Sequence, residues 1–242
     1  MNETIITSKQ NDLIKEAIKL KQKKYRTITN QFLVEGYHLV KEAYDLGLVA
    51  RLFYVEEAIF LNVESYQVSQ NILDTLTEVI ASQGLVAVCN KPNIKEIGNR
   101  VLLLDNVQDP GNIGTLIRSC AAFGFSTIVS ENSVDYYNDK VIRSTQGALF
   151  KVNLLSGSLS DFIKNNPQIK FYVTDLKSDK YLEDIDDFNN DIGIILGNEG
   201  QGVRQEIIDL VERSFKLKMS NMESLNVGVA GSIILYEIAK RS

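Results

Sequence analysis

Two short runs constrain this chain more than anything else in it: VLLL at Val101–Leu104 and IGIIL at Ile192–Leu196, neither with a polar side chain. A strand with one face in water alternates apolar and polar residues. Runs without alternation belong to strands covered on both faces, as in a parallel sheet flanked by helices. Each run ends in a polar, glycine-bearing loop, DNVQDPGN after the first and GNEGQG after the second, and a helix-like stretch follows. A third such helix, rich in small residues, opens at Ser224-Leu225-Asn226. Loops at the carboxyl ends of neighbouring parallel strands are where open α/β sheets bind ligands. The expected fold class is therefore α/β, a doubly covered parallel sheet.

The same alternation runs through the C-terminal part. Strands are expected at 101–104, 127–129, 171–174 and 192–196, and helices at 112–123, within 159–165, at 205–211 and at 225–240. The N-terminal part reads as a smaller α/β domain. Leu13, Ile14, Ala17 and Ile18 form an apolar stripe at helical spacing, with lysines on the other face. QFLVEG is read as a strand, YHLVKEAYDLG as a helix closed near Gly47, and RLFYV, Tyr66–Val68 and LVAVCN as strands around a helical piece at 71–76. KPNIKEIGNR holds one of only three prolines and reads as the linker. The expected division is 1–97 and 98–242.

Composition narrows the functional classes. No apolar run approaches the roughly 20 residues that cross a bilayer, and the start lacks a signal-peptide layout. Cys89 and Cys120 sit in apolar surroundings without CxxC spacing, and His38 is the single histidine. Buried free thiols and a cytoplasmic, metal-free protein are the expectation. The net charge of −5 speaks against a generic nucleic-acid binder. Its distribution is uneven, however: Lys9, Lys15, Lys19, Lys21, Lys23, Lys24 and Arg26 face only Asp12 and Glu16, whereas Glu183–Asp191 is acidic. A local basic strip attracts phosphate; the same run also reads as a solvated helix face.

GNEGQG is G-x-x-G-x-G, neither the dinucleotide fingerprint nor a P-loop. Its glycines allow close backbone approach or positive φ, and Glu199 within it can pair with an arginine or orient a hydroxyl. Asn112 follows the Asp109-Pro110-Gly111 turn and reads either as a helix N-cap or as a functional amide. Arg118 stands in a helix otherwise apolar or small; its guanidinium offers a planar fork of donors suited to phosphate. Ser224 reads as a cap or as a pocket residue. Gly228, Ala230 and Gly231 weaken the helix they occupy, which points to a backbone or ligand packed against it.

Taken in order, DPGNIGTLIRSCAAFGF, ILGNEGQGV and ESLNVGVAGSIILYE resemble the three motifs of the SpoU (TrmH) class of RNA ribose 2′-O-methyltransferases, of the SPOUT superfamily. KKYRTITNQFLVEGYHLVKEA is similar to the L30e-like substrate-binding domain that precedes them in many members. The resemblance implies S-adenosylmethionine as methyl donor, an RNA ribose 2′-hydroxyl as nucleophile, a trefoil knot in the C-terminal domain and a homodimer formed through that domain. It implies catalytic roles for Asn112, Arg118, Glu199, Ser224 and Asn226. It places the donor near Leu196, Gly197, Gly202, Leu217, Met219, Leu225, Asn226 and Ala230. RNA is expected at Lys21, Lys23, Lys24, Arg26 and Arg118. One departure stands out: relatives often read Ile-Pro-Met where this chain has Leu217-Lys218-Met219, and no glycine follows soon after.

Because a guanidinium stays protonated in proteins, Arg118 is expected to clamp a phosphate and stabilise developing alkoxide charge rather than take the hydroxyl proton. Asn112 and Glu199 are expected to hold that arginine and the ribose. The N-terminal extension favours 23S ribosomal RNA over transfer RNA. The competing class is a non-catalytic RNA-binding or ribosome-assembly factor on the same fold.

Overall fold

The computed structural model describes residues 5–57, 60, 62–78, 84–94, 96–186, 188 and 191–241. Lys95 of the linker and part of the acidic 183–191 stretch lie outside them. The chain divides into two compact units: Met1–Asn93 with Tyr137–Ile142, and Ile94–Tyr136 with Arg143–Ser242.

The first unit holds β1 (Ile5–Ile6), α1 (Asp12–Lys19), α2 (Lys23–Thr29), β2 (Gln31–Glu35), α3 (Tyr37–Asp45), β3 (Val49–Tyr54), β4 (Ser65–Val68), α4 (Gln70–Leu76) and β5 (Leu85–Asn90). Its strands form a mixed sheet in the order β1-β4-β3-β5-β2. Ile14 and Ala17 of α1 pack with Ile72, Leu73 and Leu76 of α4 against Phe53, Val86 and Val88. The N-terminal segment forms two helices, α1 over the apolar stripe of Leu13, Ile14, Ala17 and Ile18, and α2 beyond it. The break is sealed by buried Arg26, whose Nη1 donates to the carbonyls of Leu20 and Lys21, each at 2.8 Å, where helical partners are missing.

The second unit runs through β6 (Arg100–Asp105), α5 (Pro110–Phe123), β7 (Thr127–Glu131), α6 (Asp139–Thr145), β8 (Asn153–Ser156), α7 (Leu159–Asn165), β9 (Lys170–Thr174), β10 (Ile192–Leu196), α8 (Gln205–Val211), β11 (Ser214–Phe215) and α9 (Val227–Lys240). Residues 139–142 of α6 belong to the first unit. The sheet is six-stranded, in the order β11-β9-β10-β6-β7-β8, and every pairing is parallel. The two apolar runs are adjacent central strands, with Leu104 opposite Leu196. Val101, Leu103, Val173 and Ile195 pack beneath Leu159, Ile163, Ile207 and Val211 of α7 and α8. Leu102 and Leu104 alternate to the other face, where α5 and α9 lie. Gly231 is required there: a Cβ on it would stand 2.4 Å from Leu116 Cδ2 and 2.6 Å from Leu196 Cδ1.

Both long helices begin differently from expectation. Asp109, not Asn112, caps α5, accepting from the Asn112 N–H at 2.8 Å, and Pro110 takes the first helical position, where its missing N–H costs nothing. Asn226, not Ser224, caps α9, accepting from the Val229 N–H at 3.1 Å. Short β8 and β11, α6 and β1 carry too little periodicity to be seen in the sequence.

Candidate active site

The loop after β10 is built by Asn198. Its backbone exchanges two hydrogen bonds with Gly202, at 3.0 and 2.9 Å. Its Oδ1 accepts from the Gly200 and Gln201 N–H groups, and its Nδ2 donates to the Asn106 carbonyl at 2.9 Å. The turn forces the backbone against itself: a Cβ at Gly197 would lie 2.1 Å from the Gly202 carbonyl carbon, and Gly202 has φ +73°. Side chains other than glycine's are excluded at the first and strained at the second. Glu199 projects from this loop, and Asn112 Nδ2, at the start of α5, donates to its Oε1 at 3.0 Å.

Beyond the carboxyl ends of β9, β10 and β6 lies a cavity of about 590 Å³, within the range of small-molecule sites. The loop after β10 forms one wall. Leu217, Met219, Ser224 and Leu225 form another, and Val227, Ala230 and Ile234 of α9 a third. Thr174–Lys177, just past β9, also face it. Of these, Asp175, Leu176 and Lys177 carry no motif, although they follow an expected strand and the strand-end rule points to them. Ala230 has the smallest side chain among the three α9 residues, so a ligand can approach that helix closely. Backbone carbonyls and N–H groups, apolar side chains and a few polar ones together suit a nucleoside-bearing molecule such as S-adenosylmethionine.

Behind the loop sits an ion cluster with no sequence signature. Arg204 Nε donates to Asp105 Oδ1 at 2.7 Å and its backbone N–H to Asp105 Oδ2 at 2.8 Å. Its Nη2 pairs with Glu131 Oε2 at 2.8 Å and Nη1 with Glu206 Oε1 at 2.7 Å. Burial alone would raise the Glu131 carboxyl. The Arg204 guanidinium and the Leu159 N–H, which donates to Glu131 Oε2 at 2.8 Å, outweigh it and hold the group below the usual carboxylate range. Asp105 and Glu131 end the paired strands β6 and β7 in register.

The structure brings Leu196, Gly197, Glu199, Gly202, Leu217, Met219, Ser224, Leu225 and Ala230 to the cavity. Asn112 reaches it through Glu199. Two further expected residues are not on its lining either. Asn226 turns its side chain to the α9 backbone instead, and Arg118 is an exposed residue of α5 outside the cavity. Asn112 and Glu199 hold each other.

The basic strip divides as well. Arg26 is 4% exposed and bonded to backbone, and Lys21 pairs with Glu78 at 2.8 Å and donates to the Thr77 carbonyl at 3.0 Å. Both serve the first unit's own structure. Lys23 and Lys24 are exposed, and Lys24 Nζ lies 5.9 Å from the Tyr25 ring centre. Cys89 and Cys120 are free and buried, and burial pushes both thiols up. Among the described residues no group of three or more His, Cys, Asp or Glu is placed to hold a metal, and no helix is long and apolar enough to cross a membrane.

An all-parallel sheet with a ligand-sized cavity at its strand ends, walled by a small-residue helix, defines the second unit as an α/β ligand-binding domain. Residues 99–236 match the SpoU rRNA Methylase family, and the chain belongs to it. Residues 11–87 match the MRM3-like substrate binding domain. The chain is 33% identical to the 23S rRNA (guanosine(2553)-2′-O)-methyltransferase RlmP of Bacillus subtilis over 96% of this chain and 98% of that protein. It is similar throughout to the rRNA methyltransferase from Sinorhizobium meliloti, with TM-score 0.87, 26% identity and coverage of 99% and 98%. The AdoMet-bound structure of that methyltransferase matches with TM-score 0.86, 26% identity and coverage of 98% and 97%.

Proposed function

We propose that this chain transfers the methyl group of S-adenosylmethionine to a ribose 2′-hydroxyl of 23S ribosomal RNA in the cytoplasm. The observation that carries this reading is the cavity at the strand ends with the Asn112–Glu199 pair at its rim. Leu196, Gly197, Gly202, Leu217, Met219, Leu225 and Ala230 hold the donor, which supplies an electrophilic methyl on a sulfonium centre. Glu199, fixed by Asn112, accepts a hydrogen bond from the ribose hydroxyl and aligns its oxygen, and Ser224 shapes the pocket beside it. Alignment of this kind supplies much of the acceleration in a displacement.

Arg118 enters through a homodimer. Val229, Ile233 and Tyr236 recur on one face of α9 and are 48%, 41% and 49% exposed, an apolar stripe suited to a second copy. The adjoining helix α5 carries Arg118 next to Ser119, whose Oγ lies 2.7 Å from Ser232 Oγ of α9. A dimer on this face delivers the partner's Arg118 to the site, where its fork clamps the phosphate beside the reacting ribose. Residues 1–97 serve as the RNA substrate-binding domain and 98–242 as the methyltransferase domain. The C-terminal part of that domain forms the trefoil knot of the SpoU class.

The test is transfer of labelled methyl to unmodified 23S ribosomal, 16S ribosomal and transfer RNA in parallel, followed by digestion to nucleosides. Label in a 2′-O-methylnucleoside from 23S RNA is expected. Label confined to transfer RNA, or found on a base, overturns the substrate or the chemistry.

A further inference from the structure

The loop that presents Glu199 has two anchors, and both are on the end of β6. At its start Asn198 grips the Asn106 carbonyl; at its end Arg204 grips Asp105 through its backbone N–H and through Nε. Asp105 is fully buried, and Arg204 is the partner bonded to both of its oxygens. The remaining guanidinium nitrogens meet Glu131 at the end of β7 and Glu206 on α8. Arg204 also faces the cavity. Its Nε and Nη1 donate to Asp105 and Glu206, and Nη2 lies 2.8 Å from Glu131 Oε2 as an ion pair.

We propose that Arg204 is a positioning residue for Glu199. It ties the end of the Gly197–Arg204 loop to the ends of β6 and β7, the next two strands on one side of β10, so that Glu199 arrives in register with Asn112. This inference rests on the methyltransferase reading of the site. The planar fork is what the role needs, since its donors leave in three directions toward Asp105, Glu131 and Glu206. A lysine keeps a positive charge near buried Asp105 and so preserves the fold, but a point charge cannot fix three directions at once. Complete loss of the cation would leave a buried carboxylate unpaired and destabilise the protein strongly, so Arg204→Lys is the informative variant. Glu131→Gln, which keeps an oxygen for the Leu159 N–H, is the milder companion.

For Arg204→Lys the melting transition is expected to remain cooperative. Methyl transfer at saturating donor is expected to fall about tenfold to hundredfold, the size of a small misplacement. Combining it with Glu199→Gln is expected to cost no more than Glu199→Gln alone, because both changes remove the same alignment. Glu131→Gln falls in the same direction by less. Parent-like transfer by Arg204→Lys, or losses that multiply in the double variant, overturns the proposal. If the parent methylates no RNA, the methylation reading fails by itself. Amide hydrogen exchange at Asn198–Gly202 still decides the role of Arg204: faster exchange in Arg204→Lys upholds the anchor, and unchanged exchange overturns it.

Discussion

Asn112 and Glu199 are 87 residues apart in the chain and 3.0 Å apart in space, an amide N–H of α5 donating to a carboxylate of the loop after β10. The bond is possible because Asp109 has taken over the capping of α5, leaving the Asn112 side chain free to cross the rim of the cavity. Asn112→Ala removes this constraint on Glu199 without touching the donor walls. Transfer rates are expected to fall about tenfold to hundredfold, the range for a charge-assisted hydrogen bond, while donor affinity measured by calorimetry stays near parental. Equal losses in both would place Asn112 in donor binding instead.

Gly197→Ala should be damaging out of proportion to its size. The new methyl would meet backbone atoms of Gly202 and Val203, which cannot rotate aside. Overpacking of this kind costs about 1–3 kcal/mol. The loop that walls the cavity must shift, so donor affinity falls together with the melting temperature. An alanine variant that binds the donor normally would contradict the described loop geometry.

The basic strip separates into stability and binding. Arg26→Ala should destabilise the first unit by about 1–3 kcal/mol, since two helix-end carbonyls lose their donor. Lys23→Ala with Lys24→Ala should leave stability unchanged, weaken RNA binding and reduce its salt slope by about 0.7–0.9 for each phosphate no longer neutralised. Filter binding at several salt concentrations checks this, and an unaltered slope returns both lysines to the role of solvated surface.

Acid should loosen the ion cluster. The Glu131 carboxyl titrates lower folded than unfolded, so its stabilisation is complete above the unfolded value near 4.5 and disappears as pH falls through the lower folded value. Glu131→Gln should therefore flatten that part of the stability profile between neutral pH and pH below about 4. Melting curves across this range show it; a parental slope in the variant would exclude Glu131 as its source.

Thiol reagents should label neither cysteine of the native protein and both after denaturation. Burial disfavours the thiolate at Cys89 and Cys120 and also blocks access. Rapid labelling of either in the folded state would contradict the placement of β5 or α5.

Much of this architecture is legible in the sequence because its strongest signals are local. VLLL and IGIIL pack both faces of central strands and cannot be mistaken for exposed ones, and α7 and α8 fall where their periodicity puts them. The glycines of GNEGQG announce a backbone fold-back that the close approach of Gly197 to Gly202 makes concrete. What the sequence hides is competition for the same job. Asn112, Ser224 and Asn226 are all able to cap a helix, and only the folded geometry shows that Asp109 and Asn226 do so. Arg26 and Lys21 look like their neighbours Lys23 and Lys24 until tertiary structure brings carbonyls and Glu78 beside them. The Arg204 cluster reaches back to positions 105 and 131, and no spacing rule links residues so far apart.

The claim on which the rest depends is that the cavity between β9, β10 and α9 takes the methyl donor. Calorimetric titration of S-adenosylmethionine into the parent protein and into Ala230→Phe tests it most directly. The account predicts one donor per chain in the parent. It predicts affinity weakened at least about tenfold by the phenyl group that fills the cavity, more than about 1.4 kcal/mol, with an undiminished melting transition. Equal affinity in the two proteins would place the donor elsewhere and contradict the account.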